Sequence, residues 1–203
     1  MSGDFVYLAS ASPRRRELLQ QIGVAYELRP VVIDEGRLAN EPATDYVRRV
    51  AVAKAGECWN GLGHGGVPHP VLAADTAVVL GSEVFGKPGD RSQALDMLEA
   101  LSGRSHTVAT GVAVRCGEDI ETAVSVNEVA FRTTTAQERD AYLATDEPLD
   151  KAGGYAIQGF GAVFIEDLRG SYSAVMGLPL YETAMLLRRF GIPRWLDSAR
   201  CGP

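Results

Sequence analysis

An α/β fold with a mixed sheet is predicted because strand-like and helix-like segments alternate along all 203 residues. The clearest strand is the apolar run from Val71 to Leu80, and the clearest helix is Thr44 to Trp59, whose apolar residues recur at helical spacing. Hydrophobic residues make up 46% of the chain, which is enough to bury a core. The sequence has no internal repeat, and its length and apolar content allow residues 1–203 to form one domain, or one domain with a subdomain.

The first third of the chain begins with an extended apolar segment from Phe5 to Ala9. A helix from Pro13 to Ile22 follows, because Ser12 can cap it, proline occupies the favoured first position and Gly23 can end it. The next predicted segments are a strand from Ala25 to Val32, the helix from Thr44 to Trp59 and a loop from Asn60 to Pro70.

Capping and turn residues divide the rest of the chain in the same way. Asp90-Arg91-Ser92-Gln93 resembles a capping box ahead of a helix that ends at Ser102-Gly103. The segments predicted after it are strands from Thr107 to Arg115 and Glu121 to Thr134, a helix from Ala136 to Ala144, a strand from Ala162 to Glu166 and a helix from Pro179 to Phe190.

Composition restricts the functional class. A net charge of −6 argues against a nucleic-acid polymer as partner, since such proteins carry a broad basic face. No apolar run approaches the roughly 20 residues of a membrane span, and Met1 to Asp4 has no signal-peptide pattern, so we expect a cytoplasmic protein without a membrane partner. Cys58, Cys116 and Cys201 are widely spaced and are interpreted as free thiols.

The first helix begins with three arginines, although a helix N-terminus carries partial positive charge and favours acidic residues. Arg15 shares the core-facing stripe of Leu18 and Ile22, and Arg14 shares that side, whereas Arg16 points elsewhere. Arg14 and Arg15 could extend to solvent or pair with carboxylates. Their position at the helix start favours an anionic ligand instead.

Lys54, in the second predicted helix, is another cation that is predicted to face inward. It lies seven residues after Val47 and four after Val50, so it should face inward. A buried lysine needs an anionic partner, which is either an internal carboxylate or a ligand phosphate. The sequence alone leaves both possibilities open.

Asp75 interrupts the most apolar strand of the chain. A carboxylate there would cost several kcal/mol unless it is paired, protonated or bound to a metal. It could act as a metal ligand or general base, or it could cap a turn at the end of the strand. Asp34 and Glu35 could supply a second ligand for Mg²⁺ or Mn²⁺, or could form an ordinary acidic turn.

Two further polar residues stand in bends. Lys87 follows Phe85-Gly86 in a rigid turn with Pro88. The glycine-rich segment Gly153 to Gly161 is neither a Walker A loop nor a dinucleotide fingerprint, and its amide, Gln158, could recognise a base edge or bind loop backbone.

Several short motifs occur in a fixed order between Phe5 and Ile192. They are the segments Ser10 to Arg15, Ala73 to Thr76, Gly86 to Pro88, Leu101 to His106, Asp150 to Gly159 and Gly177 to Pro179. This ordered set resembles the Maf family of nucleoside triphosphate pyrophosphatases. The resemblance implies a two-lobed α/β fold similar to inosine triphosphate pyrophosphatases (the Maf/Ham1 fold), with a cleft between the lobes, and a homodimer. The tail from Arg194 to Pro203 lies outside it.

The resemblance also implies roles for single residues. Asp75 matches the family's catalytic acidic residue, usually described as the proton acceptor, and Glu35 matches a further acidic site residue. Arg14, Thr76 and Gln158 match the positions that mark the dTTP/UTP-type subfamily. The positions that match phosphate-binding residues are Ser10, Arg14, Arg15, Lys54 and Lys87.

The resulting hypothesis is hydrolysis of a pyrimidine nucleoside triphosphate, dTTP or UTP, to the monophosphate and pyrophosphate. A divalent cation, Mg²⁺ or Mn²⁺, held by Asp75 and Glu35 would polarise the α-phosphate, and Asp75 could also deprotonate the attacking water. The alternative from another class is a non-catalytic nucleotide-binding regulator of cell division. A phosphate-sugar enzyme fits the charges but leaves Gln158 and the ordered motifs unexplained.

Overall fold

A computed structural model describes residues 5–63 and 69–195, and the predicted mixed α/β fold is confirmed in these ranges. The predictions for Met1 to Asp4, for Cys201 and for most of the C-terminal tail lie outside the described residues. The strands are β1 (Val6–Leu8), β2 (Tyr26–Leu28), β3 (Val71–Leu80), β4 (Glu83–Phe85), β5 (Ser105–Cys116), β6 (Asp119–Phe131) and β7 (Ile165–Arg169). The α-helices are α1 (Pro13–Gln21), α2 (Ala43–Gly61), α3 (Arg91–Leu101), α4 (Ala136–Leu143), α5 (Tyr172–Met176) and α6 (Leu180–Arg189). Short 3₁₀ helices span Glu147–Asp150, Ala152–Gly154 and Phe160–Phe164.

The sheet has the strand order β2-β1-β3-β5-β6-β7, and β4 pairs with β3 outside this path. β1 is parallel to both β2 and β3, with Leu8 opposite Leu28 and Leu72. β4 and β7 are antiparallel to β3 and β6. No helix among the described residues is long and apolar enough to cross a membrane.

The chain divides into two compact units. The first unit comprises Met1–Asp75, Thr110–Ser125 and Gly177–Pro203, and the second comprises Thr76–Ala109 and Val126–Met176. Strands β3, β5 and β6 each contribute residues to both units. Each unit has its own hydrophobic core.

One cluster in the core of the first unit is made mostly of small side chains. Ala51 and Ala55 of α2 pack with Ala73 of β3 and Ala113 of β5. At Gly111 of β5, an added Cβ would lie 2.5 Å from the carbonyl oxygen of Val47. Since no side chain fits there, glycine allows α2 to approach the strand closely. This approach places the inner face of α2 against the sheet.

Aromatic rings fill the core of the second unit. Phe131 and Tyr155 meet edge to face with centroids 4.8 Å apart, and Tyr142 meets Phe164 in the same way at 5.2 Å. Buried His106 binds the Tyr155 hydroxyl through Nε2 at 2.8 Å. Burial lowers the pKa of His106 to about 4.

The structure differs from the predicted elements in the bounds of several strands and in a helix that was not predicted. The strand predicted from Glu121 to Thr134 ends earlier, at Phe131. The strand predicted from Ala25 to Val32 is wrong beyond Leu28, because β2 ends two residues before Pro30, which has no N–H to donate to a strand. The strand predicted from Ala162 to Glu166 begins later, at Ile165, because a 3₁₀ helix precedes it. Helix α5 had no clear sequence signal, since it has five residues.

Candidate active site

Lys54 is the centre of a polar cluster in the first unit. Its side chain is buried, as the helical spacing predicted, and its Nζ lies 2.8 Å from Asp75 Oδ1 and 2.9 Å from Glu35 Oε1. Of the two anionic partners expected for Lys54, an internal carboxylate or a ligand phosphate, the structure shows internal carboxylates. Because one ammonium contacts two carboxylates, Asp75 and Glu35 must lie close together.

Asp75 occupies the fifth of the ten positions of β3 and is 6% exposed. The alternative that it caps a turn at the end of the strand is wrong, because β3 continues to Leu80. Burial raises the pKa of Asp75, and the positive charges of Lys54 and Arg15 partly offset this shift. The carboxylate is therefore stabilised by cations from two different helices.

Arg15 connects the start of α1 to this cluster. Its Nη1 donates to Ser10 Oγ at 3.0 Å, and its Nε donates to the carbonyl oxygen of Gly177 at 2.8 Å. Burial lowers the pKa of Arg15, and the nearby Asp75 carboxylate counteracts this effect. The arginine predicted to face inward therefore does so.

The beginning of α1 combines dipole and side-chain charge. Pro13 occupies the first turn, which contains no acidic residue, and Ser12 is the N-cap without a capping side-chain bond. The Ser10 hydroxyl instead accepts from Ser12 N at 3.2 Å. Arg14 is half-buried and close enough to lower the pKa of Arg15. This concentration of positive charge at a helix N-terminus is suited to an anion.

The two acidic residues of the loop after β2 have different roles. Asp34 accepts the backbone N–H of Gly36 at 2.8 Å, so the ordinary-turn interpretation describes Asp34. Glu35 reaches Lys54 and keeps 49% of its side chain exposed. Glu35 can therefore contact both the buried cluster and a ligand from solvent.

The sequence did not reveal the contacts that hold this loop. Arg49 of α2 binds Glu41 through two parallel hydrogen bonds of 2.6 and 2.8 Å, and it donates to the carbonyl oxygen of Gly36 at 2.9 Å. The Arg49 guanidinium lowers the pKa of Glu41 to about 2. Because Gly36 follows Glu35 directly, this pair fixes the part of the loop that carries Glu35.

Tyr46 is a second residue that the sequence did not indicate, because its helical spacing groups it with the apolar residues Val47 and Val50 of the predicted helix. Its half-buried phenol has a pKa raised to about 12, by burial first and then by the charges of Asp75 and Glu35. The charges of Asp75 and Glu35 therefore act on the Tyr46 hydroxyl.

The residues present fit a divalent cation that shares its ligands with a substrate. Asp75 and Glu35 provide hard carboxylate oxygens, which suit Mg²⁺ and Mn²⁺. Within residues 5–63 and 69–195, no group of three or more His, Cys, Asp and Glu residues could hold a metal. Mg²⁺ commonly uses one or two carboxylates together with water and substrate phosphates, so two carboxylates are sufficient.

Three other predicted site residues lie in the second unit. Thr76 is half-buried in β3, and Lys87 is exposed two residues after β4. Gln158 is exposed between buried Ile157 and half-buried Gly159. Their roles toward a substrate remain predictions.

The fold and the cluster define a class of protein. A mixed α/β protein with arginines at a helix N-terminus, beside a buried lysine and two carboxylates, has the groups required to bind a phosphate-containing anion. The family described as Maf-like protein matches residues 5–190. The chain therefore belongs to the Maf family.

Curated relatives cover nearly the whole chain. A protein from Anaeromyxobacter dehalogenans (strain 2CP-1) is 55% identical over 191 residues, with 92% of this chain and 94% of the relative covered. Relatives from Bordetella avium and Aromatoleum aromaticum are 50% and 48% identical, over 92% and 93% of this chain and 96% of each relative. All three are named dTTP/UTP pyrophosphatase.

Proposed function

We propose that this protein is a nucleoside triphosphate pyrophosphatase that hydrolyses dTTP and UTP to the monophosphate and pyrophosphate. The observation that carries the proposal is the buried cluster in which Lys54 contacts Asp75 and Glu35. The names of the relatives support the reaction and the pyrimidine substrates.

The basic residues would bind the triphosphate. A lysine ammonium has three donors, and the contacts with Asp75 and Glu35 use two of them, so we expect the third donor of Lys54 to bind a phosphate oxygen. Arg15 is held by Ser10 and the Gly177 carbonyl oxygen, so its charge has a fixed position before substrate binds. The other expected phosphate ligands are Arg14 and Lys87.

Asp75 would act on the attacking water. In the proposed reaction the water oxygen attacks the α-phosphorus, the bond between that phosphorus and the oxygen bridging to the β-phosphate breaks, and the proton of the water passes to an Asp75 carboxylate oxygen. Pyrophosphate leaves with its charge offset by the surrounding cations. Mg²⁺ or Mn²⁺ held by Asp75 and Glu35 would supply Lewis-acid polarisation of the α-phosphate.

Selection of the base is assigned to Thr76 and Gln158. Hydrogen bonds to the carbonyl and N–H edge of uracil or thymine would reject bases that lack this pattern, because the polar groups would be left unpaired. The matches of Arg14, Thr76 and Gln158 to the dTTP/UTP-type pattern support this assignment.

A substrate panel tests the proposal. Purified protein is incubated with dTTP, UTP, CTP, GTP and 7-methyl-GTP, with Mg²⁺ or Mn²⁺, and pyrophosphate and monophosphate are measured. We expect catalytic turnover of dTTP and UTP and its loss after chelation. Stoichiometric binding without turnover would instead support a nucleotide-binding regulator, and preference for GTP or 7-methyl-GTP would refute the pyrimidine assignment.

The variant Asp75→Asn tests the catalytic residue. It should retain the fold and lose most turnover, whereas Asp96→Asn, at an exposed position of α3, should retain activity. Near-normal turnover by Asp75→Asn with metal present would refute the role of Asp75.

We also propose that the protein is a homodimer, as the family resemblance implies, and that it is cytoplasmic. Light scattering at several protein concentrations tests the oligomeric state, and fractionation of cells that produce the protein at its native level tests the location. A monomer at all concentrations, or recovery in a membrane fraction, would contradict these assignments.

A further inference from the structure

The loop that carries Gln158 is anchored on both sides of this residue. On the N-terminal side, the backbone N–H of Ala156 donates to the Tyr142 hydroxyl at 3.1 Å. On the C-terminal side, the N–H groups of Phe160 and Gly161 donate to the two carboxylate oxygens of Glu147 at 3.0 and 3.2 Å. Tyr142 and Glu147 therefore hold the backbone two residues before Gln158 and two to three residues after it.

The two anchors are joined to each other. The Tyr142 hydroxyl donates to Glu147 Oε1 at 2.7 Å, so one carboxylate accepts from a phenol and from two backbone N–H groups. Tyr142 is 4% exposed and its ring lies in the aromatic core of the second unit. The loop is thus tied to the core through a continuous chain of hydrogen bonds.

Glycine is required where the loop meets these anchors. An added Cβ at Gly159 would overlap the Glu147 carboxylate, and one at Gly161 would lie 2.7 Å from the Tyr142 hydroxyl. A side chain at either position would force the carboxylate or the phenol away from the backbone. Glycine at positions 159 and 161 therefore allows Glu147 and Tyr142 to lie close to the backbone of this segment.

Glu147 is itself held in place. Its backbone N–H donates to Thr145 Oγ1 at 3.3 Å, and its carbonyl oxygen accepts from Lys151 Nζ at 2.8 Å. It begins a 3₁₀ helix directly after Asp146, which has a left-handed φ of 57°. The carboxylate is consequently a fixed acceptor for the loop and not a mobile surface group.

We propose that Glu147, together with Tyr142, is a positioning pair for base recognition. The pair fixes the loop so that the exposed amide of Gln158 is presented in one place to the pyrimidine edge. A polar group discriminates between bases only when it is held in the productive geometry by its neighbours. This inference rests on the proposed function, in which Gln158 contacts the base.

Glu147→Gln is the sharpest variant because it preserves the shape of the side chain. The carboxylate accepts from three donors, whereas an amide offers one oxygen and turns an NH₂ toward an N–H or O–H donor. Tyr142→Phe removes the hydroxyl that links Glu147 to Ala156. Glu166→Gln, at an exposed position of β7, is the matched control.

The experiment measures kcat and KM for UTP and CTP and the inhibition constant of pyrophosphate. UTP and CTP share the triphosphate and differ in the base edge, and pyrophosphate reports the phosphate site alone. For Glu147→Gln and Tyr142→Phe we expect the UTP-to-CTP ratio of kcat/KM to fall at least 10-fold, mainly through KM for UTP. The pyrophosphate inhibition constant and the Glu166→Gln control should stay within about twofold of wild type.

A double variant separates positioning from general destabilisation. If Glu147 acts through Gln158, Glu147→Gln combined with Gln158→Ala should lose no more selectivity than Gln158→Ala alone. Additive losses, unchanged selectivity in Glu147→Gln, or a parallel rise in the pyrophosphate inhibition constant would overturn the inference. Unchanged selectivity in Gln158→Ala would also overturn it.

Failure of the proposed function has a different signature. Wild-type protein that releases no pyrophosphate from UTP or dTTP would refute the function and with it this inference. Wild-type protein that hydrolyses UTP selectively, and keeps that selectivity in Glu147→Gln, would refute the positioning role alone.

Discussion

The ammonium of Lys54 lies 2.8 Å from Asp75 Oδ1, and both side chains are at most 10% exposed. Lys54 comes from α2 and Asp75 from β3, so the pair joins a helix to the strand on which it packs. A buried ion pair contributes little net stability, but removing one partner leaves the other charge buried and uncompensated. Removal of either Lys54 or Asp75 alone should therefore destabilise the protein.

Lys54→Met should lower kcat/KM for dTTP at least about 100-fold, because a preorganised cation is lost from the phosphate site. It should also lower the free energy of unfolding by about 3–5 kcal/mol, because Asp75 loses its hydrogen-bonded cation and keeps only the more distant charge of Arg15. The measurements are pyrophosphate release and urea unfolding followed by circular dichroism.

Two variants control this experiment. Adding Asp75→Asn to Lys54→Met should restore stability without restoring activity. Arg48→Gln, which breaks an exposed pair with Asp45, should change stability by no more than about 1 kcal/mol. Wild-type turnover by Lys54→Met would contradict its role.

Arg15 and Arg16 of α1 should differ in their contribution to substrate binding. Arg15→Gln loses its hydrogen bonds to Ser10 and Gly177, so KM for dTTP and the inhibition constant of pyrophosphate should each rise at least 10-fold. Arg16→Gln should leave both constants within about twofold of wild type. Equal effects of the two substitutions would show that only the net charge of the helix start matters.

Gly111→Ala should destabilise the protein by about 1–3 kcal/mol, because the new methyl group would meet the Val47 carbonyl oxygen, which is backbone and cannot rotate away. The shift in the urea midpoint measures this loss. Gly61→Ala, at the end of α2 where an added Cβ meets open space, should leave stability unchanged or raise it slightly. Equal midpoints for the two variants would disprove the close approach of α2 to β5.

His106 should make stability depend on pH between about 4 and 6.5. In this window the unfolded chain binds a proton at His106 and the folded protein does not, so the free energy of unfolding should fall as pH decreases from 6.5. The full effect is on the order of 3 kcal/mol. Urea unfolding at several pH values should show a shallower dependence for His106→Gln than for wild type, and equal slopes would contradict the prediction.

The central site residues could be predicted because burial leaves a pattern in the sequence. Arg15 and Lys54 stand at apolar positions of amphipathic helices, and Asp75 interrupts an apolar strand. Each charged residue in such a position requires a partner, so the sequence indicates a polar cluster. Which groups pair with which is a tertiary fact, and only the structure shows that Lys54 contacts both carboxylates.

Other features leave no periodic signal. Arg49 and Glu41 lie in a helix and in the loop before it, and nothing in their spacing distinguishes them from solvated charges. Glu147 likewise resembles an ordinary acidic residue beside a proline, although its carboxylate holds a loop more than ten residues away. Such contacts depend on where irregular segments return in space, which local propensity does not encode.

The edges of the sheet affect how the protein behaves at high concentration. β2 has three residues and is followed by Pro30, and β7, at the other end of the strand order, exposes Glu166, Asp167 and Arg169. A short strand and a charged strand are poor templates for pairing with the strands of another molecule. Both ends of the sheet therefore disfavour aggregation by strand pairing, which should help the protein to stay dissolved in crowded solutions.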